Sequence, residues 1–401
     1  MEEWNSFKRI EAVFNHKIPD KVPKYEGTIE IPELNSNING QTFPQTILFF
    51  PPNIINIFHK VPIVPLIKRI MKHPSIFQPF VKYIPKMVCA VQKKFNYDLF
   101  STVPGIPMVF NNKIFQDFYT EENSRVIRGP GGYLVWKTSL EGAHERNGFL
   151  RTPADWDKYM NFDPDHPANF FLVRETVKKC KKMDIVPAFV VWGAAGFEEL
   201  LHNFGFEPLI RLLFREKSFI KKATKEMNEH AIAVAEKTLQ NGGKIIHISS
   251  DLGLKGRSFI SPQMFKEIFK PGIKKFCRKV HQLGGKVMLH SCGHITELIP
   301  DFINARLDAL HPIEGTAGND IVEINKSYGK ELVLIGNVPI PLLTHGTPKE
   351  TSEYVKSLLK NVSFDGNHII SSSHSITPNC KLENFLAYNK AVETFGKYPI
   401  K

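Results

Sequence analysis

The stretch Lys286-Val287-Met288-Leu289-His290-Ser291-Cys292-Gly293-His294 places an imidazole and a thiol two residues apart at the end of an apolar run. Side chains at positions i and i+2 of a β-strand point to the same face. If the run is a strand, His290 and Cys292 face the same space at its carboxyl end. Imidazole and thiolate are both good zinc ligands. The stretch therefore predicts a buried strand ending in part of a metal site; an ordinary strand-end histidine beside a core thiol is the alternative.

A third ligand must come from elsewhere in the chain, because zinc sites in proteins use at least three protein donors. The sequence favours His374, which ends the short apolar run Asn367-His368-Ile369-Ile370-Ser371-Ser372-Ser373-His374. Cys380, six residues later in a predicted loop, is the alternative. A strand end fixes a ligand more firmly than a loop does, which favours His374.

From about residue 180 onwards, the chain alternates short apolar runs with longer amphipathic stretches. The apolar runs predict strands at 185–192, 244–250, 286–290, 309–312, 331–336 and 368–372. The amphipathic stretches predict helices at 217–241, 261–283, 294–303, 320–328 and 347–361. Such alternation implies parallel strands joined by right-handed crossovers, in a barrel or a doubly wound sheet.

Polar residues recur just after these runs, and no glycine-rich dinucleotide-binding motif follows the early strands. The recurring residues are Asp251, His290, Cys292, Glu314, Asn337 and His374. An eight-stranded barrel brings all strand ends to one face, whereas a doubly wound sheet concentrates them at one switch point. We therefore predict a single (β/α)8 TIM barrel over residues 1–401, with the doubly wound sheet as the alternative.

The segment 47–95 is rich in Ile, Phe, Pro and Lys and predicts a helical insertion near the barrel mouth. Prolines interrupt it, so no 18-residue apolar span survives and a membrane-spanning helix is not expected. Docking to a partner or a membrane surface is the alternative role for this segment.

Net charge and cysteine content indicate which partners and which cellular location to expect. The chain has 401 residues, 42% of them hydrophobic, and a formal net charge of +12. The lysines are dispersed and accompany no nucleic-acid-binding signature, so an anionic small molecule or an acidic protein partner is expected rather than nucleic acid. The five cysteines are an odd number, widely spread, and follow no secretion signal. We expect a reducing, cytoplasmic location.

A series of motifs resembles the uroporphyrinogen decarboxylase superfamily, which includes cobalamin-dependent methyltransferases. In chain order they are Ser6-Phe7-Lys8-Arg9-Ile10-Glu11-Ala12 with Ile18-Pro19-Asp20-Lys21-Val22-Pro23, Ser250-Asp251-Leu252-Gly253 with Phe259-Ile260-Ser261-Pro262, Gly284-Gly285-Lys286 before His290-Ser291-Cys292-Gly293, Leu334-Ile335-Gly336-Asn337, and His374-Ser375-Ile376-Thr377-Pro378 before Leu382-Glu383-Asn384. The resemblance implies the same (β/α)8 barrel.

The resemblance also implies a branch of this superfamily. True uroporphyrinogen decarboxylases carry an arginine-rich segment after the first strand, which pairs with substrate carboxylates. This chain instead reads Val22-Pro23-Lys24-Tyr25-Glu26-Gly27-Thr28-Ile29-Glu30, without an arginine. The methyltransferase branch carries a His-X-Cys pair and a distant cysteine that hold zinc. His290 and Cys292 match that pair, and His374 stands at the distant position.

The resemblance thus implies an enzyme that moves a methyl group between a corrinoid (cobalamin) carried by a partner protein and a thiol or tetrahydrofolate acceptor, with the assistance of zinc. Asp251 and Glu314 are candidates to orient the acceptor, to support a ligating imidazole or to fill a fourth position on zinc. Asn337 is a candidate pocket residue. The alternative function is a metal-free lyase that decarboxylates a different carboxylated substrate, and a barrel without activity that serves as a docking surface is a further one.

Overall fold

The computed structural model describes residues 3–34, 89–105, 150–160, 162, 164–165 and 170–400, together with the backbone of four strands between residues 118 and 146. Within these residues, eight parallel strands form one sheet in chain order. They are β1 (Tyr25–Glu26), β2 (Leu99–Thr102), β3 (Val186–Val190), β4 (Ile245–Ser249), β5 (Lys286–His290), β6 (Ala309–His311), β7 (Val333–Val338) and β8 (His368–Ser372). A parallel bridge between Lys24 and Ile370 joins the last strand to the first. The sheet therefore closes, and the predicted (β/α)8 barrel is confirmed.

Helices follow most strands and cover the outside of the barrel. Those before β4 are Ser6–Phe14, Ala90–Lys94, Pro153–Tyr159, Val173–Met183, Phe197–Phe204, Phe206–Arg215 and Lys217–Gln240. Those after β4 are Pro262–Met264, which continues through a π-helical segment Phe265–Phe269 into Lys270–Gln282, then Ile299–Asn304, Ile321–Tyr328, Ile340–His345, Pro348–Val362 and Leu382–Phe395. Local chemistry fixes the ends of several: Thr347 and Glu350 form a capping box at the start of Pro348–Val362.

The strands bury apolar side chains on both faces, as strands of a helix-covered parallel sheet must. In β5, Val287 and Leu289 pack in the outer layer between sheet and helices. Met288, between them, points into the barrel and packs with interior residues of the other strands. Alternation along a strand therefore also turns His290 into the barrel, two residues beyond Met288.

The amino-terminal end of the barrel is closed by the helix Ser6–Phe14. Asn5 caps this helix by accepting a 2.9 Å hydrogen bond from the Lys8 amide. Its Ile10, Val13 and Phe14 belong to the same interior cluster as the residues that begin the strands, Leu99, Val186, Ile245 and Val333. The carboxyl ends of the strands form the open end.

Two further sheets lie outside the barrel strands. Residues 118–146 contain a four-stranded antiparallel sheet in chain order, which the sequence analysis did not predict. Gly253–Leu254 and Arg257–Ser258 pair as a short antiparallel hairpin after β4. Of the predicted insertion 47–95, residues 47–88 lie outside the described residues, and Ala90–Lys94 is helical. None of the described helices has the length and apolarity needed to cross a membrane.

Candidate active site

The hairpin after β4 and the loop after β5 lie in close backbone contact at the open end. The Gly253 amide donates to Cys292 O at 3.2 Å, and the His294 amide donates to Leu254 O at 2.7 Å. A Cβ built on Gly293, whose φ is +80°, would lie 2.2 Å from the carbonyl carbon and oxygen of Gly253. Only glycine fits this approach without a shift of the backbone. Cys292 lies between the end of β5 and this contact, so the two glycines fix its position.

Three different donor atoms meet beside this contact. The Sγ of Cys292 lies 3.3 Å from Nε2 of His290, and the same nitrogen lies 3.6 Å from Oδ1 of Asp251. All three donor atoms lie within 4.8 Å of one another. Asp251 Oδ1 also accepts a 2.8 Å hydrogen bond from the Cys292 amide, which orients the carboxylate. The predicted pair His290 and Cys292 is thus joined by Asp251 from the end of β4.

The spacing of these donors fits a zinc ion. With bonds of ~2.1 Å to nitrogen or oxygen and ~2.3 Å to sulfur, tetrahedral ligands lie about 3.4–3.6 Å apart. The two distances from His290 Nε2 are 3.3 and 3.6 Å. A thiol, an imidazole and a carboxylate are also the donor types that zinc takes. Two of the three donor separations therefore suit this cation, and the third, between Cys292 Sγ and the Asp251 carboxylate, is at most 4.8 Å.

The second nitrogen of the His290 ring is also held. Its Nδ1 lies 2.7 Å from Nδ1 of His311, and Nε2 of His311 lies 3.4 Å from the Ser371 hydroxyl. A metal on His290 Nε2 would leave the proton on Nδ1, which then donates to His311. Such a hydrogen bond fixes the tautomer and the plane of a ligating imidazole. Burial lowers the pKa of His311 well below its usual value, so the ring stays neutral.

A third histidine, His247 of β4, lies deeper in the barrel. Its ring centre is 6.1 Å from that of His290. Its Nδ1 lies 2.6 Å from the Ser101 hydroxyl, which in turn lies 2.7 Å from the hydroxyl of Tyr25. Burial, and then the neighbouring His290, lowers the pKa of His247 to about 3. The upper interior of the barrel is therefore lined by neutral imidazoles and hydroxyl groups rather than by aliphatic side chains.

Carboxylates surround the donor set on the outer side. The amide of Asp251 donates to Oε2 of Glu198 at 3.2 Å, and the amide of Gly293 donates to Oε2 of Glu314 at 3.0 Å. Burial, then the charge of Asp251, raises the pKa of Glu198 to about 8. Burial also raises the pKa of the Cys292 thiol, with the charges of Asp251 and Glu314 adding to the effect. The site is thus electronegative and favours a bound cation.

The remaining predicted residues lie at different distances from this centre. His374 is exposed just beyond β8, with its ring centre 6.2 Å from that of His290. Cys380 is buried, with its sulfur 3.5 Å from the Thr377 hydroxyl. Neither belongs to the tight donor set found among the described residues. The choice of third ligand between His374 and Cys380 stays a prediction, and Asp251 is a donor already in place.

Asn337 and Glu314 are both anchored to the loop after β6. Asn337 is buried; its amide nitrogen donates to Ile313 O at 2.9 Å, and its Oδ1 accepts from Tyr354 at 3.3 Å. Glu314 accepts from the Thr316 hydroxyl at 2.8 Å through its other oxygen. Both residues therefore brace loops at the open end, and their roles towards a substrate stay predictions.

Sequence reasoning did not single out Glu198, His247 or His311. Both histidines lie inside strands rather than after them, where a single polar residue in an apolar run resembles an ordinary core position. The alternation of side chains along a strand could have indicated them. His247 lies two residues before Ser249, which pairs in register with His290, and His311 also pairs in register with His290. Glu198 begins a helix one loop away from β3, so its approach to Asp251 depends on the tertiary fold.

The fold and the site together define a (β/α)8 barrel with a preassembled Asp-His-Cys donor set at the carboxyl ends of its strands, where barrel enzymes carry their active sites. Residues 135–395, more than half of the chain, match the family model described as uroporphyrinogen decarboxylase (URO-D). The chain therefore belongs to the uroporphyrinogen decarboxylase family, and the family that the sequence motifs indicate is confirmed.

A solved structure supports the fold. A methyltransferase from Methanosarcina mazei superposes with a TM-score of 0.64 at 16% identity, and the match covers 98% of this chain and 99% of that chain. A family 2 AP endonuclease from Brucella melitensis, at a TM-score of 0.33 and 12% identity over 54% of this chain and 82% of that one, is too distant to inform the comparison. No curated protein matches the chain.

Proposed function

We propose that the protein is a zinc-assisted methyltransferase that moves a methyl group between a corrinoid (methylcobalamin) carried by a partner protein and a thiol or tetrahydrofolate acceptor. The observation that carries this proposal is the convergence of Asp251, His290 and Cys292 within 4.8 Å at the open end of the barrel. The alternative function, a metal-free lyase, makes no use of a metal-binding donor set.

The residues of the site have separable roles in this proposal. His290 and Cys292 hold the cation, His374 is the third donor with Cys380 as the alternative, and Asp251 is a candidate for a fourth position. His311 keeps the His290 ring in the tautomer that offers Nε2. Zinc bound there supplies Lewis acidity, which lowers the pKa of an acceptor thiol so that it reacts as a thiolate at neutral pH.

Carboxylates on the open side favour the transfer of a positively polarised methyl group rather than the binding of a polyanion. The carboxylates of Asp251 and Glu314 face this region through hydrogen bonds to its loops. They also provide acceptors that position a substrate N–H or O–H group. We assign Asp251 and Glu314 to this orienting role.

The first strand supports the methyltransferase over the decarboxylase of the family name. Tyr25 points into the barrel, whereas the Lys24 ammonium lies outside it and donates to Asn389 at 3.1 Å. Glu26 is fully buried and accepts hydrogen bonds from the amide and hydroxyl of Ser372 at 2.7 and 2.8 Å. Within the described residues, β1 therefore offers no cation to a carboxylated substrate.

The charge of the chain suits an acidic carrier of the corrinoid. The net charge is +12, and the hairpin at the open end exposes Lys255 and Arg257. Complementary charge raises the rate of encounter more than the final affinity, and salt screens it over about 8 Å at physiological ionic strength. Turnover with carrier-bound corrinoid should therefore fall with salt more steeply than turnover with free methylcobalamin.

The test combines metal analysis with methyl transfer. The protein is purified without chelators, its zinc content is measured, and demethylation of free and carrier-bound methylcobalamin is followed with thiol and folate acceptors. We expect close to one zinc per chain and demethylation with at least one acceptor. A zinc-free protein that demethylates nothing, or that releases carbon dioxide from a carboxylated substrate, would move the assignment to the lyase.

A further inference from the structure

The chain of hydrogen bonds below the donor set determines which nitrogen of His247 carries the proton. Tyr25 has one described hydrogen-bond partner, Ser101, and Ser101 has two, Tyr25 and His247 Nδ1. If Tyr25 donates to Ser101, and Ser101 donates to Nδ1 of His247, every hydroxyl proton is used. The reverse direction leaves two groups unpaired, the buried Tyr25 proton and the lone pair on Nε2, whereas the first direction leaves one, the Nε2–H of His247. The direction with fewer unpaired groups therefore places the His247 proton on Nε2.

That Nε2–H group has no acceptor within hydrogen-bonding distance in the described part of the chain. The side chain is only 6% exposed, so the donor is buried inside the upper barrel. A buried donor without an acceptor destabilises the fold, and such groups call for a specific explanation. By contrast, His368, another buried histidine, uses both nitrogens, on the Ser363 hydroxyl at 2.7 Å and on Gly336 O at 2.6 Å.

Within the described residues, the surroundings of His247 supply no partner for Nε2. Its register neighbours are Val190 of β3 and Met288 of β5. The interior cluster of the barrel also contributes apolar residues, including Ala188, Ile245 and Ala309. The ring centre of His290, in the donor set, lies 6.1 Å from that of His247. A small molecule bound at His290 needs to extend only over this distance to meet His247.

We propose that His247 donates its Nε2–H to a neutral oxygen of the small substrate, a hydroxyl, ether or carbonyl, while the reacting end of the substrate lies at Asp251, His290 and Cys292. The placement of the reacting end rests on the proposed function. The placement of the neutral oxygen rests on the hydrogen-bond chain from Tyr25 through Ser101 to His247.

The charges near His247 favour a neutral oxygen over a carboxylate as its hydrogen-bond partner. The carboxylates of Asp251 and Glu314 both bond to the loops around the donor set. No described barrel strand turns a lysine or arginine into the upper interior beside His247. An anionic group at this depth would have one N–H donor and no counter-charge, and burying such a charge is costly.

The test follows His247 directly, by two-dimensional ¹H–¹⁵N spectra of histidine side chains in zinc-loaded protein, with His247→Phe to assign its signals. The probes are three thiols of similar size: 2-mercaptoethanol with a neutral oxygen, 1-propanethiol without oxygen, and 3-mercaptopropionate with an anionic one. We expect the Nε2–H tautomer in the free protein and a shift of its signal with 2-mercaptoethanol alone. The His368 signals are the control within the same spectrum and should not move.

Affinities from the same titrations complete the test. Wild type should bind 2-mercaptoethanol about tenfold more tightly than 1-propanethiol, and His247→Phe should remove this preference, because the methyl group of propanethiol suits an apolar ring. His247→Gln, which retains an N–H donor, should restore part of it. Should His247→Phe fail to fold, Ser101→Ala serves instead, since it frees Nδ1 and should shift the tautomer.

An Nδ1–H tautomer in the wild type would overturn the proposal. Equal affinity for 2-mercaptoethanol and 1-propanethiol, tighter binding of 3-mercaptopropionate, or a His247 signal that no probe moves would do so as well. Absence of zinc or of methyl transfer refutes the proposed function instead. The titration is then repeated on the zinc-free protein, where the response of the His247 signal to the probes decides whether His247 binds the neutral oxygen.

Discussion

The contact between Gly253 and Gly293 can be tested by adding one carbon. In Gly293→Ala the new Cβ would lie 2.2 Å from the Gly253 carbonyl. Carbon atoms need about 3.5 Å, so the two backbones must separate by about 1.3 Å. The hydrogen bonds that join the loops, now 3.2 and 2.7 Å long, would then be broken or severely stretched.

The expected loss of stability follows from these contacts. A non-glycine residue at positive φ costs ~1 kcal/mol, and two lost backbone hydrogen bonds cost ~1 kcal/mol each, which gives about 3 kcal/mol. Gly284 is the matched control, because its φ is +75° and a Cβ there would meet nothing within 4 Å. Gly284→Ala should therefore cost ~1 kcal/mol, the backbone strain alone.

Urea unfolding followed by circular dichroism measures both losses. Zinc affinity, measured by competition with a chromophoric chelator, should fall ~10–100-fold in Gly293→Ala, because the displaced loop carries Cys292. It should be unchanged in Gly284→Ala. If the two variants unfold at the same urea concentration and hold zinc equally well, the close approach does not position Cys292 and the reasoning is refuted.

Three further predictions concern the site and the first strand. Cys292→Ala should remove most of the zinc found by elemental analysis, whereas Cys277→Ala, a buried thiol in the helix Lys270–Gln282, should leave the zinc content unchanged. His374→Ala should lower the zinc content and Cys380→Ala should not; the opposite result would make Cys380 the ligand. Burial raises the pKa of Glu26 from 4.5 to about 8, so the folded chain retains a proton that the unfolded chain loses. The free energy of unfolding should therefore fall as pH rises from about 4.5 towards 8, and Glu26→Gln should flatten that fall in urea titrations across this range; an unchanged pH profile would contradict it.

Most of the barrel could be predicted because its strands have uniform apolar runs bounded by turns. β5 and β8 begin and end where the runs predict, and the predicted helix 217–241 is one residue longer than the observed Lys217–Gln240. In these elements, the residues that the local sequence pattern makes apolar are the same residues that the fold buries. The hairpin of the extra sheet is also visible in the sequence, since Gly129-Pro130-Gly131-Gly132 separates two short runs that contain β-branched and aromatic residues.

The site could be predicted only in part. His290 and Cys292 lie on one strand end, where period two alone brings them together. The positions of Asp251 and Glu198 depend on the paths of two loops, which short-range patterns do not specify. The hydrogen bond between His290 and His311 depends on strand register across the barrel. Sequence spacing therefore finds donors that share an element, whereas partners from different elements need the fold.

The closed floor of the barrel has a consequence for the order of events in a catalytic cycle. Among the described residues, the helix Ser6–Phe14 closes one end with Ile10, Val13 and Phe14, which leaves the carboxyl ends of the strands as the way into the interior. Under the proposed function, a carrier protein that docks there to deliver a methyl group covers that way in. The small co-substrate must then enter before the carrier arrives and its product must leave after the carrier departs. Steady-state kinetics should accordingly follow a compulsory sequence, with excess carrier trapping the product inside.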